Sequence, residues 1–200
     1  MMAIKAVPVS RYAAFFSLAV TGCVIDLWTK DWSFARLGVP EKGRVSEIEW
    51  IWEGYFGLET SLNPGALFGM GDGLVDLFAG LSIVAALGIL YWLFVTGAAR
   101  DWLLTISLGC VTGGIFGNLY DRLGLWHATL SDGSDLTGVH EVRDWILWTY
   151  QGHRWPNFNI ADALLVCGAA LLVWHALFCG KPKEKAKGES AKSEKQSSKS

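Results

Sequence analysis

The chain has 200 residues, of which 52% are hydrophobic and 18% charged, with 11 tryptophans and a formal net charge of −2. That length allows one domain or a few membrane spans, and the near-neutral balance excludes the basic footprint of a nucleic-acid binder. Mean hydropathy is positive and the charges are segregated, so the composition is that of a polytopic membrane protein.

Four stretches are apolar enough to cross a hydrocarbon core of about 30 Å, which takes roughly 20 helical residues. They run from about 11 to 29, 74 to 96, 102 to 120 and 158 to 179. Lys5 and Arg11 precede the first, as they would precede a signal sequence. Within it Val20-Thr21-Gly22-Cys23 also has the look of a lipobox. After Cys23, however, the chain stays apolar and then reaches Asp26 and Lys30, where a lipoprotein would start a polar tether. The stretch is therefore read as a span.

Between the first and second spans lies SEIEWIWEGYFGLETSLN, residues 46–63. Ile48, Trp50 and Trp52 alternate with Glu47, Glu49 and Glu53, and Phe56, Leu58, Thr60 and Leu62 repeat the period of two after Gly54. This pattern predicts a small β element with one greasy face. The third span carries Gly109, Gly113 and Gly117 at four-residue intervals beside Gly114, a spacing that lets helix backbones approach closely. The tail 181–200 is rich in Lys, Glu and Ser, has nothing apolar to bury, and is expected to be disordered. The expected architecture is an all-α polytopic membrane protein, residues 1–180, with four transmembrane helices and a small extracytoplasmic β element on the first outer segment. All four cysteines (Cys23, Cys110, Cys167, Cys179) fall in the spans and read as packing residues.

Four spans put both termini on one side, together with Lys5, Arg11, Arg100 and the Lys-rich tail. Basic residues favour the cytoplasm, so the termini are expected inside. The outer segments, about 30–73 and 121–157, then hold seven of the eleven tryptophans, which prefer the headgroup layer.

On this topology the polar residues of the spans collect at one face. Asp26 and Lys30 end the first span, and Asn63 precedes the second. Asn118, Asp121 and Arg122 end the third, and Asn159 and Asp162 begin the fourth, just after Asp144. Asp26 and Lys30, four apart, share a helix face and can pair. Asp162 lies about 6 Å inside the start of its helix. An ionised carboxylate there is costly unless it faces a wet cavity or a partner. Neither Asp144 nor Asp162 has an obvious cation on its own face, and Arg143, though adjacent to Asp144, need not point its way. Two carboxylates at a partly dry site share one proton, so one can activate water while the other polarises a carbonyl. No Ser or Cys nucleophile with a base stands out at this face. His127, His140 and His153 show no metal-ligand spacing and read as loop histidines. The competing reading, an ion relay in a channel or transporter subunit, would spread carboxylates across the bilayer instead of gathering them at one face.

Five blocks carry a resemblance: DLWTK at 26–30, NPGALFG at 63–69, GGIFGNLYDR at 113–122, VRDWI at 142–146 and FNIADA at 158–163. In that order, and over about residues 11–179, they resemble the motifs of the bacterial lipoprotein signal peptidases (signal peptidase II). The resemblance implies an aspartic endopeptidase of the inner membrane that cuts diacylglyceryl prolipoproteins just before the lipidated cysteine, without cofactor or metal. It implies that Asp144 and Asp162 are the catalytic pair and that Asn63, Asn118, Arg122 and Asn159 bind substrate or support the pair. Asp26, Lys30 and Asp121 would give structural support. The expected partners are the prolipoprotein and membrane lipid, with the chain acting as a monomer. Two departures stand out: segment 123–141 is longer than the link expected, and Trp145 replaces the usual phenylalanine.

Overall fold

The structure is a computed structural model that describes residues 6–40, 44–65, 74–130 and 133–179. The tail 181–200 and the ALFG half of the NPGALFG block lie outside those residues. Among the described residues four helices are long and apolar enough to span a membrane. They are α1 (Val9–Leu37), α2 (Val75–Leu90, continued by a π turn Tyr91–Val95), α3 (Trp102–Arg122) and α4 (Ile160–Trp174, continued by a π turn His175–Cys179).

Helix α3 is the central one. Its apolar stretch is 61% buried, against 22% or less for the other three, and it packs on α1, α2 and α4. The glycine spacing explains the close packing. A Cβ on Gly113 would stand 3.1 Å from the Ala19 carbonyl oxygen of α1, and one on Gly114 would collide with the Ala161 carbonyl of α4. The apolar residues of α2 and α4 instead point outward, with Leu81, Val84, Leu87, Val166 and Val173 all exposed. Water would penalise such a surface and hydrocarbon does not.

At one end of the bundle the chain turns through a 3-10 segment, Ala98–Arg100. There Asp101 caps α3 by accepting from the Leu104 N–H, and it also meets His175 Nε2 at 2.8 Å. Phe15, Leu93, Ala99 and Leu108 close the apolar core at this end.

At the other end sits an antiparallel sheet in the order β1-β2-β5-β6. Its strands are β1 (Glu49–Trp52), β2 (Phe56–Asn63), β5 (Val142–Tyr150) and β6 (His153–Arg154). The pair β3 (Ala128–Thr129) and β4 (Asp135–Leu136) forms a separate hairpin within segment 123–141. The sheet thus draws on both connecting segments, where the sequence pointed only to the first. Strand β5 hid because residues 142–147 are buried on both faces, which erases the alternation that marks a half-buried strand. Phe34 of α1 packs with Leu58, Trp145 and Ile146 and seats the sheet on the bundle.

Candidate active site

Strand β5 and helix α4 bring the two candidate aspartates together. Asp144 stands in mid-strand, opposite Ser61 of β2. Asp162 is the third residue of α4, where a capping box forms: the Asn159 Oδ1 accepts from the Asp162 N–H at 2.9 Å, and Asp162 Oδ2 accepts from the Asn159 N–H at 3.2 Å. A carboxylate suits that place because the helix N-terminus presents free N–H groups and a positive dipole end. Capping accounts for one oxygen of Asp162. The other, Oδ1, accepts from Asn118 Nδ2 at 2.8 Å.

Three asparagines present their NH2 groups to the aspartates, and in each the amide orientation is forced by a donor on its oxygen side. Asn63 Oδ1 accepts from the Gly65 N–H, so its Nδ2 faces Asp144 Oδ2 at 3.1 Å. Asn159 Oδ1 is taken by the Asp162 N–H, so its Nδ2 reaches Asp144 Oδ1 at 2.7 Å. Asn118 Oδ1 accepts from Lys30 Nζ at 2.9 Å. An ammonium group only donates, so the oxygen must face it and the amide nitrogen must face Asp162. Of the three, Asn159 is the one that touches both aspartates.

Behind these amides lies a chain of buried charges. Lys30 Nζ pairs with Asp26 at 2.7 Å and Asp121 at 3.0 Å, all three side chains being fully buried. Asp26 Oδ1 also accepts from the Ala161 N–H at 2.8 Å, which fastens α1 to the start of α4. Asp121 binds residue 143 twice. It accepts from the backbone N–H at 3.1 Å and from the guanidinium Nε at 3.0 Å. Arg143 Nη1 continues to Asp31 at 2.5 Å. Two cations thus face two buried acids, a balance without which burial at this depth would be prohibitive. Sequence reading gave Arg143 no role beyond not needing to face Asp144, and it did not single out Asp31. The available signal was an arginine inside an apolar strand, which obliges an acid to lie near it.

Arg122 is placed differently. It donates from Nη2 to the Gly65 carbonyl at 3.4 Å, and its guanidinium lies 5.8 Å from the Phe78 ring centre. His140 Nδ1 sits 2.9 Å from the Arg122 carbonyl oxygen. Among the described residues no three His, Cys, Asp or Glu side chains cluster as metal ligands would.

A groove of about 610 Å³ opens at Asp162. Asn63, Asn118, Arg122 and Asp162 line it beside Trp148, Trp155 and Phe158 of the sheet side and Val166 of α4. Asp144 lies behind them and is 2% exposed. Burial first, and then the charge of Asp162, pushes the Asp144 carboxyl well above the usual carboxylate range. The two asparagine bonds and Lys30 pull the other way without cancelling this. The arrangement therefore places two acids at the head of an apolar groove and biases the Asp144 carboxyl toward its protonated form.

A family model described as "Signal peptidase (SPase) II" matches residues 18–178. The lipoprotein signal peptidase of Rhodopirellula baltica is 50% identical over 169 residues, 84% of this chain and 73% of that one. The lipoprotein signal peptidase of Symbiobacterium thermophilum is 35% identical over 158 residues, 79% of this chain and 90% of that one. Among solved structures, a bacterial membrane enzyme superposes with a TM-score of 0.66 at 24% identity, covering 92% of this chain and 99% of its own. That last likeness speaks for the fold.

Proposed function

Since the chain belongs to the signal peptidase II family, we propose that it removes the signal peptide from diacylglyceryl prolipoproteins, cutting just before the lipidated cysteine, with Asp144 and Asp162 as the catalytic pair. The observation that carries this reading is the double hold of Asn159 on both aspartates, at the mouth of a groove walled by aromatic and aliphatic side chains. Such a groove takes an apolar segment delivered sideways from the bilayer, and the polar end where the scissile bond would lie is the end that carries the acids.

In this mechanism Asp144, the more deeply buried acid, holds the shared proton and donates a hydrogen bond to the scissile carbonyl oxygen. Asp162 takes a proton from water as the water oxygen attacks the carbonyl carbon. The resulting tetrahedral diol collapses as a carboxyl proton passes to the leaving nitrogen and the C–N bond breaks. The products are a free carboxyl on the signal peptide and an α-amino group on the lipidated cysteine. Asn63, Asn118 and Asn159 keep the carboxyl oxygens in fixed directions, and Arg122 lines the entry. Asp26, Lys30 and Asp121 fasten α1, α3 and α4 around the pair. Every group comes from one chain, so a monomer suffices. The basic residues Arg11 and Arg100 at the opposite end of the bundle favour an inner-membrane orientation with the termini in the cytoplasm and the site near the outer face.

The test is cleavage of a purified diacylglyceryl prolipoprotein in detergent. Asp144→Asn and Asp162→Asn should each abolish cleavage while the protein stays folded, and EDTA should leave the wild-type rate unchanged. Full activity in either variant removes the dyad assignment. Loss to EDTA that zinc restores would revive a histidine metal site.

A further inference from the structure

Segment 123–141, which joins α3 to β5, is held at several points. His140 lies against the Arg122 carbonyl, and its ring fills the space above Gly124, where a Cβ would come within 3.0 Å of the imidazole. Trp126 turns inward, is 2% exposed, and meets the Phe34 ring edge-on at 5.9 Å. The Arg143 guanidinium lies 5.0 Å from the Trp126 ring centre and 6.0 Å from that of Phe34. Asp31, its outer partner, is 69% exposed, while the Arg143 side chain is itself 1% exposed. A cavity of about 1400 Å³ lies alongside, with Asp31, Trp126, Leu130, Leu136 and Arg143 among its walls.

Arg143 is coupled to the dyad through the backbone. Asp121 grips both its N–H and its side chain, and Asn159 Nδ2 approaches its carbonyl at 3.4 Å. The next residue is Asp144, on the other face of the strand. A guanidinium that drifts into water takes its stretch of β5 with it, and with it the spacing of Asp144 to Asn63 and Asn159.

We infer that Trp126, carried by the link between α3 and β5, is a positioning residue for the catalytic pair: it covers the Arg143 guanidinium, and Arg143, clamped by Asp121, holds β5 so that Asp144 keeps its bonds to Asn63 and Asn159. The inference rests on the reading of Asp144 as half of the dyad. A flat ring face over a guanidinium both shields it and attracts it, and misplacing a reacting group by about 1 Å can cost about a hundredfold in rate.

Three variants, scored against wild type in the prolipoprotein assay, test it. Trp126→Ala should lower kcat about tenfold or more with KM unchanged, because the groove itself is untouched. Trp126→Phe, which keeps a ring over the cation, should recover most of that loss. Thr129→Ala breaks only the hairpin bond to Asp135 and should match wild type. Should Trp126→Ala not fold, Trp126→Leu, which fills the site without a ring face over the cation, takes its place and should show the same loss in kcat. An unchanged kcat in the ringless variant, a loss carried by KM, or a phenylalanine no better than the ringless variant would each overturn the inference. Absence of cleavage by the wild-type chain would instead sink the reading of the site.

Discussion

A carboxyl group kept from water holds its proton more tightly than a free one, and Asp144 is enclosed by β2, its own strand β5 and the start of α4. Its oxygens meet the amides of Asn63 and Asn159. The consequence for stability can be signed. Below about pH 4 the carboxyl is protonated in folded and unfolded chains alike, and nothing is lost. As pH rises further the unfolded chain releases this proton while the folded chain retains it, because burial and Asp162 raise the folded value. Stability from this group is therefore full below the unfolded value and is lost as pH climbs to the folded one. Asparagine does not titrate. Asp144→Asn should thus be inactive yet melt higher than wild type in detergent, with a margin that widens from pH 4 upward and then levels off. A margin that shrinks with rising pH would mean that the buried group is content as an anion. At this scale the sequence exposed each motif residue by its polarity in an apolar setting. It did not expose the partners, because Asp31 and Arg143 are far apart in the chain and only the fold brings them together.

Helices were easier to read than strands, for a physical reason. A span announces itself by length and apolarity, and the glycine stripe of α3 announces a close contact. Strand β5 had to satisfy partners on both faces and so lost its alternation. The stripe also carries a prediction. Gly117 lies against the Asp26 carboxylate, and a Cβ there would overlap Asp26 Oδ2, stand 3.0 Å from its Cγ and 3.2 Å from Ala161 Cβ. Neither neighbour can easily give way, since Asp26 is tied to Lys30 and to the Ala161 N–H. Gly117→Ala should cost about 1–3 kcal/mol of stability by overpacking and should lower cleavage as α1 and α4 part. Gly80 of α2 is exposed, and a Cβ added to it would meet nothing within 4 Å. Gly80→Ala should leave activity intact and stability equal or slightly higher, as alanine favours a helix over glycine by about 0.5–1 kcal/mol. Thermal melts of the two variants side by side check the claim, and equal melting points would show that the α1–α3 seam is loose.

The whole molecule is a bundle with two unlike ends. One end gathers Arg11, Arg100 and the Asp101–His175 pair. The other bears the sheet, with Trp50, Trp52, Tyr55, Trp148, Tyr150 and Trp155 exposed. Aromatic rings at that level suit the headgroup layer, and the arginines suit the cytoplasmic side. Asp144 and Asp162 sit at the aromatic end, where on the proposed function a lipid-anchored substrate would present its cleavage site after export. Orientation is therefore a requirement of the proposed chemistry as well as a matter of charge. In a chain whose four cysteines are replaced by alanine, Trp52→Cys should react with a membrane-impermeant thiol reagent added to intact spheroplasts. Arg100→Cys should react only after the membrane is opened. Both positions are exposed, so neither result hinges on local packing. The reverse pattern would turn the groove toward the cytoplasm, away from the face at which an exported prolipoprotein presents its lipidated cysteine, and the proposed reaction would have no substrate within reach.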